Sequence, residues 1–228
     1  MQQPTIAITG GTGFVGKGIV EAVLAAGFTV RALIRNERSA EKLSFLPQQL
    51  HTKLELIYGD PCNSDDVARL LAGTDMVLHL VGIRRHEIKK TGKTYEDIDL
   101  GSALAMIDAM KKTGKNRIVL LSAGAIGNSI YVQTKAKAER AIIEAKLDHT
   151  IFRPAFITGP GQQWPIIMAP FLTLMSYLPG RFGDTSRRAG NISRKQLANA
   201  FIKAINDDST IGKIYDIPEL RNIKDNSF

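Results

Sequence analysis

Thr5-Ile6-Ala7-Ile8-Thr9-Gly10-Gly11-Thr12-Gly13-Phe14-Val15-Gly16 passes from an apolar segment into a glycine-rich turn and then into a helical pattern. A strand, glycines at 10, 13 and 16, and then a helix start form the arrangement that cradles the pyrophosphate of a dinucleotide. Gly10 permits the tight turn, Gly13 lets backbone approach the phosphates, and Gly16 lets the helix lie close to the strand. Gly11, Thr12, Phe14 and Val15 complete the turn and the first helical residues. The helix start offers N–H groups and a positive dipole end to an anion. Residues 10–16 are therefore the first candidate cofactor-binding set.

Outward from this turn, strand and helix alternate. Strands are expected at Thr5–Thr9, Thr29–Ile34 and Arg117–Leu121 and at residues 53–58, 76–81 and 150–153. Helices are expected at 14–26, 39–46, 95–112 and 131–145, with a further one capped by Ser64 and stopped by Gly73. Such alternation implies an α/β class: a Rossmann doubly wound parallel sheet in the order 3-2-1-4-5-6, with ligands at the carboxyl ends of the strands. After Pro154 the texture changes, with Pro160, Pro165, Pro170 and Pro179 breaking an irregular region. Helix returns at the capping box Ser193-Arg194-Lys195-Gln196, and a short strand is expected at 213–217. The expectation is one domain over residues 1–228, with about 155–228 contributing a small C-terminal substrate lobe.

The chain has 228 residues, 44% hydrophobic and 23% charged, as in ordinary globular proteins. The first apolar run is a strand committed to the glycine turn rather than a signal peptide, and the single cysteine, Cys62, excludes an internal disulfide. A cytoplasmic location, with the option of a peripheral membrane contact, is expected. The four histidines show no metal-ligand spacing, and His79, inside an apolar strand, reads as a core residue. A formal charge of +8 suits an anionic cofactor or an acidic membrane surface. No recognition motif for nucleic acid accompanies it.

The end of the second strand separates the two nicotinamide cofactors: a carboxylate there grips ribose hydroxyls, an arginine accommodates a 2′-phosphate. Here Arg35 occupies that place, and Glu37 lies two residues beyond. NADP(H) is favoured over NAD(H), because a planar guanidinium binds phosphate in paired, charge-assisted bonds. Asp60, after the third strand, can accept from an adenine amino group or cap the next turn. Val81-Gly82 ends the fourth strand, where a glycine lets backbone pass beside a cofactor.

Tyr131-Val132-Gln133-Thr134-Lys135 opens the helix after strand five, and i, i+4 spacing sets phenol and ammonium on one face. A neighbouring cation lowers a tyrosine's pKa, which suits proton exchange with a carbonyl or alcohol. Ser122, at the end of strand five, is a candidate donor to the substrate oxygen. The alternative is that Tyr131 packs at the helix start and Lys135 joins a basic face.

On the glycine turn, Tyr131-x-x-x-Lys135 and Arg153-Pro154-Ala155-Phe156-Ile157-Thr158-Gly159-Pro160-Gly161, the chain resembles the short-chain dehydrogenase/reductase superfamily, in its extended and atypical branches. The resemblance covers residues 4–217. It is nearest to atypical members related to the accessory dehydrogenase-like subunit of respiratory complex I and to small NADPH-binding reductases. It implies that Pro154 and Ile157 lie beside the nicotinamide, that Tyr131 is the acid/base and that Lys135 is its partner. Nine positions separate Ser122 from Tyr131, fewer than in active extended members. Two functions fit these motifs: an NADP(H)-dependent oxidoreductase transferring hydride to or from a carbonyl or alcohol, and a non-catalytic cofactor-binding accessory or assembly factor of a membrane complex or redox sensor.

Residues 164–178 are unusually apolar yet too short and proline-broken to span a bilayer. They read as a substrate wall, a protein-complex contact, a membrane-surface contact or lobe core. The basic stretch 84–90 reads as a loop overhanging the site and attracting anions.

Overall fold

The computed structural model describes residues 3–124, 129–160 and 190–223. Seven parallel strands form the central sheet: β1 (Thr5–Thr9), β2 (Thr29–Ile34), β3 (Leu54–Tyr58), β4 (Met76–His79), β5 (Arg117–Leu121), β6 (Asp148–Phe152) and β9 (Lys213–Tyr215). Their order is β3-β2-β1-β4-β5-β6-β9. A separate parallel pair consists of β7 (Phe156–Thr158) and β8 (Asn191–Ser193). The helices are α1 (Phe14–Ala25), α2 (Glu37–Ala40), α3 (Gln48–His51), α4 (Ser64–Leu71), α5 (Arg85–Thr91), α6 (Gly101–Thr113), α7 (Ile130–Glu144), α8 (Arg194–Asn206) and α9 (Ile217–Arg221). A π-helical turn, Glu96–Leu100, runs directly into α6.

The alternation of β1 divides the core. Ile6 and Ile8 point to one face, with Val30, Ala32, Leu78, Val119 and Phe152, and meet α1 and α8. Ala7 points to the other, with Leu33, Val77, Ile118, Leu120 and Ile151, and meets α4, α6 and α7. Period-two strands covered on both sides by helix stripes explain the near-continuous apolar runs in the sequence. The strand order for the first six strands and the doubly wound class agree with the sequence expectation.

The C-terminal expectation is corrected in part. Rather than standing in a substrate lobe, β9 joins the main sheet: Ile151 registers with Ile214, and the Arg153 N–H donates to the Tyr215 carbonyl at 2.9 Å. Phe152 meets Phe201 edge-on at 4.9 Å between ring centroids and Tyr215 at 5.6 Å. These aromatic contacts bind α8 and β9 to the sheet, where a three-residue strand alone has too little pattern to reveal it. Two local readings also change. Asn63, not Ser64, caps α4, its side-chain oxygen accepting from the N–H groups of Asp65 (2.9 Å) and Asp66 (3.3 Å). The basic stretch after β4 is helix α5, whose start is held by the Glu87 carboxylate on the Arg84 N–H and whose end is Gly92 at φ 72°. Among the described residues no helix is long and apolar enough to cross a membrane. The apolar segment 164–178 lies outside the described residues.

Two polar side chains tie the layers together. Arg117 donates to the Asp148 carbonyl, Thr150 Oγ1, the Ala204 carbonyl and Thr210 Oγ1, each at 2.9 Å, joining β5, β6 and α8. His79 lies wholly inside, with Nδ1 2.8 Å from Thr9 Oγ1 and Nε2 3.3 Å from Ser102 Oγ. Burial, and next the nearby Lys135 cation, push its pKa down from 6.5 to about 3. This is the core histidine that the sequence suggested.

An unfolded chain protonates His79 near pH 6.5, whereas the folded one resists until about pH 3. Stability is therefore fully present above pH 6.5 and declines as pH falls toward 3, at up to roughly 1.4 kcal/mol per pH unit from this group. Urea denaturation at pH 7 and 5 should show a smaller pH-dependent loss in His79→Asn than in the wild type; equal slopes would remove the assignment. Arg117→Met takes a charged donor from the Asp148 and Ala204 carbonyls and from two threonine hydroxyls, and by the same measurement should cost about 2–4 kcal/mol at pH 7.

Candidate cofactor-binding site

The glycine turn lies between the ends of β1 and β4. Gly10 has φ 74°, and a Cβ there would stand 2.7 Å from the Leu80 carbonyl carbon and oxygen. A Cβ on Gly16 would collide with the Gly10 carbonyl and stand 2.8 Å from Gly11 backbone. The Gly13 N–H donates to the Gly10 carbonyl at 3.1 Å and closes the turn. Gly13 is also the N-cap of α1: no side chain caps this helix, and its first turn carries no acidic residue. By contrast, α4 begins with an Asn63 cap followed by Asp65 and Asp66. A close turn with no side-chain bulk and an uncapped helix start suits a diphosphate, so residues 10–16 fit a dinucleotide. Phe14 and Val15 form the first turn of α1, with Gly11 buried and Thr12 half-buried behind them.

The C-terminal part of the chain grips this turn from outside. The Arg194 guanidinium stacks over the Phe14 ring at 5.6 Å and donates to the Phe14 carbonyl at 3.3 Å. Gly18 leaves room for Arg194: a Cβ there would be 2.7 Å from its Nε.

At the far end of the cleft, Ile34 pairs with Tyr58, and the Gly59 N–H donates to the Ile34 carbonyl at 2.9 Å. Arg35 and Asp60 thus emerge side by side beyond β2 and β3, both exposed. Asp60 accepts from the Cys62 N–H at 2.9 Å, which is the turn-capping alternative of the sequence reading. Glu37 is held by the Tyr58 hydroxyl. Cys62 is no reactive thiol: burial, followed by Asp60, raises its pKa to about 11.

The near end holds the chemistry-bearing residues. Lys135 is buried and donates to the Val81 carbonyl at 2.7 Å; its ammonium lies 2.8 Å from Asp99 Oδ1. Asp99 Oδ2 accepts from the Ile83 N–H at 3.0 Å. Gly82, exposed between them, makes this approach feasible, since a Cβ there would be 3.2 Å from Asp99 Oδ1. Tyr131, one turn before Lys135, packs on Tyr95 at 5.1 Å between centroids. Its pKa is raised, first by burial and then by the Asp99 and Tyr95 charges. This corrects the expectation of a lysine-lowered phenol, because the Lys135 charge is matched by a buried carboxylate.

Ser122 takes a different partner from the one expected. Its hydroxyl donates to Glu139, itself held by Arg153 Nε at 3.0 and 3.1 Å to the two carboxylate oxygens. A hydroxyl already donating to a carboxylate inside the protein is not aimed at a substrate oxygen. Pro154 lies buried, its carbonyl accepting from the Gly124 N–H at 2.8 Å, and Ile157 stands in β7 opposite Ile192. Among the described residues no group of acids, histidines and cysteine is arranged to hold a metal.

Asp99 is the site residue that sequence reading missed. Its signal is an acid on a buried stripe: Asp99, Ser102, Met106 and Met110 all lie inside along one helical face.

The chain is 28% identical over 158 residues to a ceramide reductase of Caulobacter vibrioides, covering 68% of this chain and 47% of that protein. It is 26% identical over 216 residues to the mitochondrial NADH dehydrogenase [ubiquinone] 1 alpha subcomplex subunit 9 of Arabidopsis thaliana, covering 92% and 52%. The chain thus spans about half the length of these relatives. Vestitone reductase of alfalfa superposes with a TM-score of 0.67 at 20% identity, over 93% of this chain and 76% of that one, a likeness of fold. Residues 10–208 match the NAD(P)H-binding family, and the chain belongs to that family, an atypical branch of the short-chain dehydrogenase/reductases.

Proposed function

We propose that this protein is an NADP(H)-dependent oxidoreductase that transfers hydride to or from a small carbonyl or alcohol substrate. The carrying observation is the placement of Tyr131: a phenol one helical turn from a lysine fixed on the Val81 carbonyl at the end of β4. The phenol is protonated at neutral pH, the state a donor to a carbonyl oxygen needs, and its raised pKa makes it a weaker acid than a free tyrosine. The reduced nicotinamide, when bound, supplies hydride to the carbonyl carbon. Tyr131 passes its proton to the carbonyl oxygen and regains one from solvent. The glycine turn and the α1 start would hold the diphosphate, and the exposed Arg35 at the end of β2 supports the 2′-phosphate preference.

A second reading, a cofactor-binding accessory protein without turnover, draws on the diversion of Ser122 to Glu139 and of Lys135 to Asp99. A contact of residues 164–178 with a membrane surface or a larger assembly belongs to this reading.

Fluorescence titration separates the cofactors. Binding of NADPH should be tighter than that of NADH, and Arg35→Ala should weaken NADPH by roughly tenfold while leaving NADH unchanged. Equal loss for both would remove the 2′-phosphate role. Against a panel of aldehydes and ketones, Tyr131→Phe should lower reduction by at least about 100-fold with NADPH affinity retained. Wild-type reduction should stay flat with pH up to about 10, because the phenol remains protonated. No NADPH oxidation across the panel, together with tight binding, would favour the accessory reading.

A further inference from the structure

We propose that Arg194, on α8, is a positioning residue for the cofactor: a cation fixed beside the first turn of α1 that strengthens binding of the diphosphate there. The inference rests on the diphosphate lying at the glycine turn, and it adds to that site a residue 180 positions from Phe14 in sequence.

Several contacts fix where this guanidinium lies. Ser193 ends β8, opposite Thr158, and starts α8 through its capping box. There the Gln196 N–H donates to Ser193 Oγ at 3.1 Å, and the Ser193 N–H donates to Gln196 Oε1 at 3.0 Å. Arg194 is thus the first residue of α8. Further along, Leu197 and Phe201 share one core with Ile19, Val20 and Val23 of α1, which sets the two helices against each other. The guanidinium then lies 5.6 Å over the Phe14 ring and donates to the Phe14 carbonyl at 3.3 Å. Phe14 is the first residue of α1, directly after the Gly13 N-cap.

Two glycines clear the path of the arginine. A Cβ on Gly18 would stand 2.7 Å from Arg194 Nε and 2.8 Å from its Cδ. One on Gly159 would stand 3.3 Å from Phe14 Cζ and 3.4 Å from Arg194 Cβ. Glycine is a poor helix former, yet Gly18 stands inside α1, where the room it leaves lets the arginine stem lie along the helix.

The surrounding charges favour an anion. The first turn of α1 has neither a side-chain cap nor an acid, so no carboxylate competes for its N–H groups. Among the described residues no carboxylate forms an ion pair with Arg194. Lys17, on the same stretch of α1, lies 5.7 Å over the Phe45 ring. The helix start thus carries two cations, each held over an aromatic ring, and their field adds to the positive end of the helix dipole.

The test is calorimetric titration of the full chain with ADP-ribose, which has the diphosphate but no nicotinamide. At about 20 mM salt, Arg194→Met should bind it about fivefold or more weakly than wild type, and Arg194→Lys, which keeps the charge, within about twofold. At about 1 M salt the gap between wild type and Arg194→Met should narrow to within about twofold, because the charge is screened. A folded Arg194→Met protein with wild-type affinity overturns the proposal. So does a loss of the same size at both salt concentrations, or an Arg194→Lys as weak as Arg194→Met, since a loosened scaffold would give either. If Arg194→Met does not fold, Gly18→Ala decides. It keeps the arginine, favours α1 as a helix and pushes the stem aside, so affinity should fall about threefold with no loss of Tm; unchanged affinity overturns the proposal. Wild-type 15N spectra separate the two levels of failure. Amides of residues 14–17 that stay in place on addition of ADP-ribose overturn the diphosphate placement and this inference with it. Amides that shift, beside an Arg194→Met protein of unchanged affinity, overturn this inference alone.

Discussion

The close approach of α1 to the strand ends, which only glycine allows, is the constraint on which the rest of this structure depends. Gly16 touches the Gly10 carbonyl, and Gly10 in turn lies against the Leu80–Val81 backbone. The helix start is thereby fixed in the gap between β1 and β4, where the chain winds in opposite directions on either side. Any side chain at these places would push α1 away and spoil both the packing and the anion site. Arg194 reinforces the arrangement by lying over Phe14 from α8, so the C-terminal segment serves the cofactor turn as well as the sheet.

A chain of buried polar groups runs from the end of β1 toward the residues beyond β4. Thr9 at the end of β1 meets His79, His79 meets Ser102, Ser102 meets the Asp99 carbonyl, and Asp99 meets Lys135. Hydrogen bonds join all but the last link, where Asp99 Oδ1 makes no hydrogen bond and is met by the Lys135 charge alone. Nearby, Ser122, Glu139 and Arg153 form a second such set. The two networks claim the serine and the lysine that the family pattern would offer to substrate and cofactor. Tyr131 stands at their border and keeps its proton.

The legible parts of the fold share one property: their signal is local. Glycines at 10, 13 and 16 after an alternating strand, and Ser193 with Gln196 as a capping box, state their geometry within a few residues. Where long-range contacts decide, the reading fell short. A three-residue strand such as β9 owes its place to Phe152, Phe201 and the Arg153–Tyr215 hydrogen bond, none of them neighbours in sequence.

By itself, then, the order of residues determined the doubly wound class, the first six strands, the glycine turn and the i, i+4 placement of Tyr131 and Lys135, because steric and periodic rules act over a turn or a strand. Only the tertiary structure decided what those side chains experience. Asp99 meets Lys135 across 36 positions of sequence, and Ser122 meets Glu139 across 17. Charge state follows from burial and from partners brought together by folding, and neither is written at the position of the titrating group.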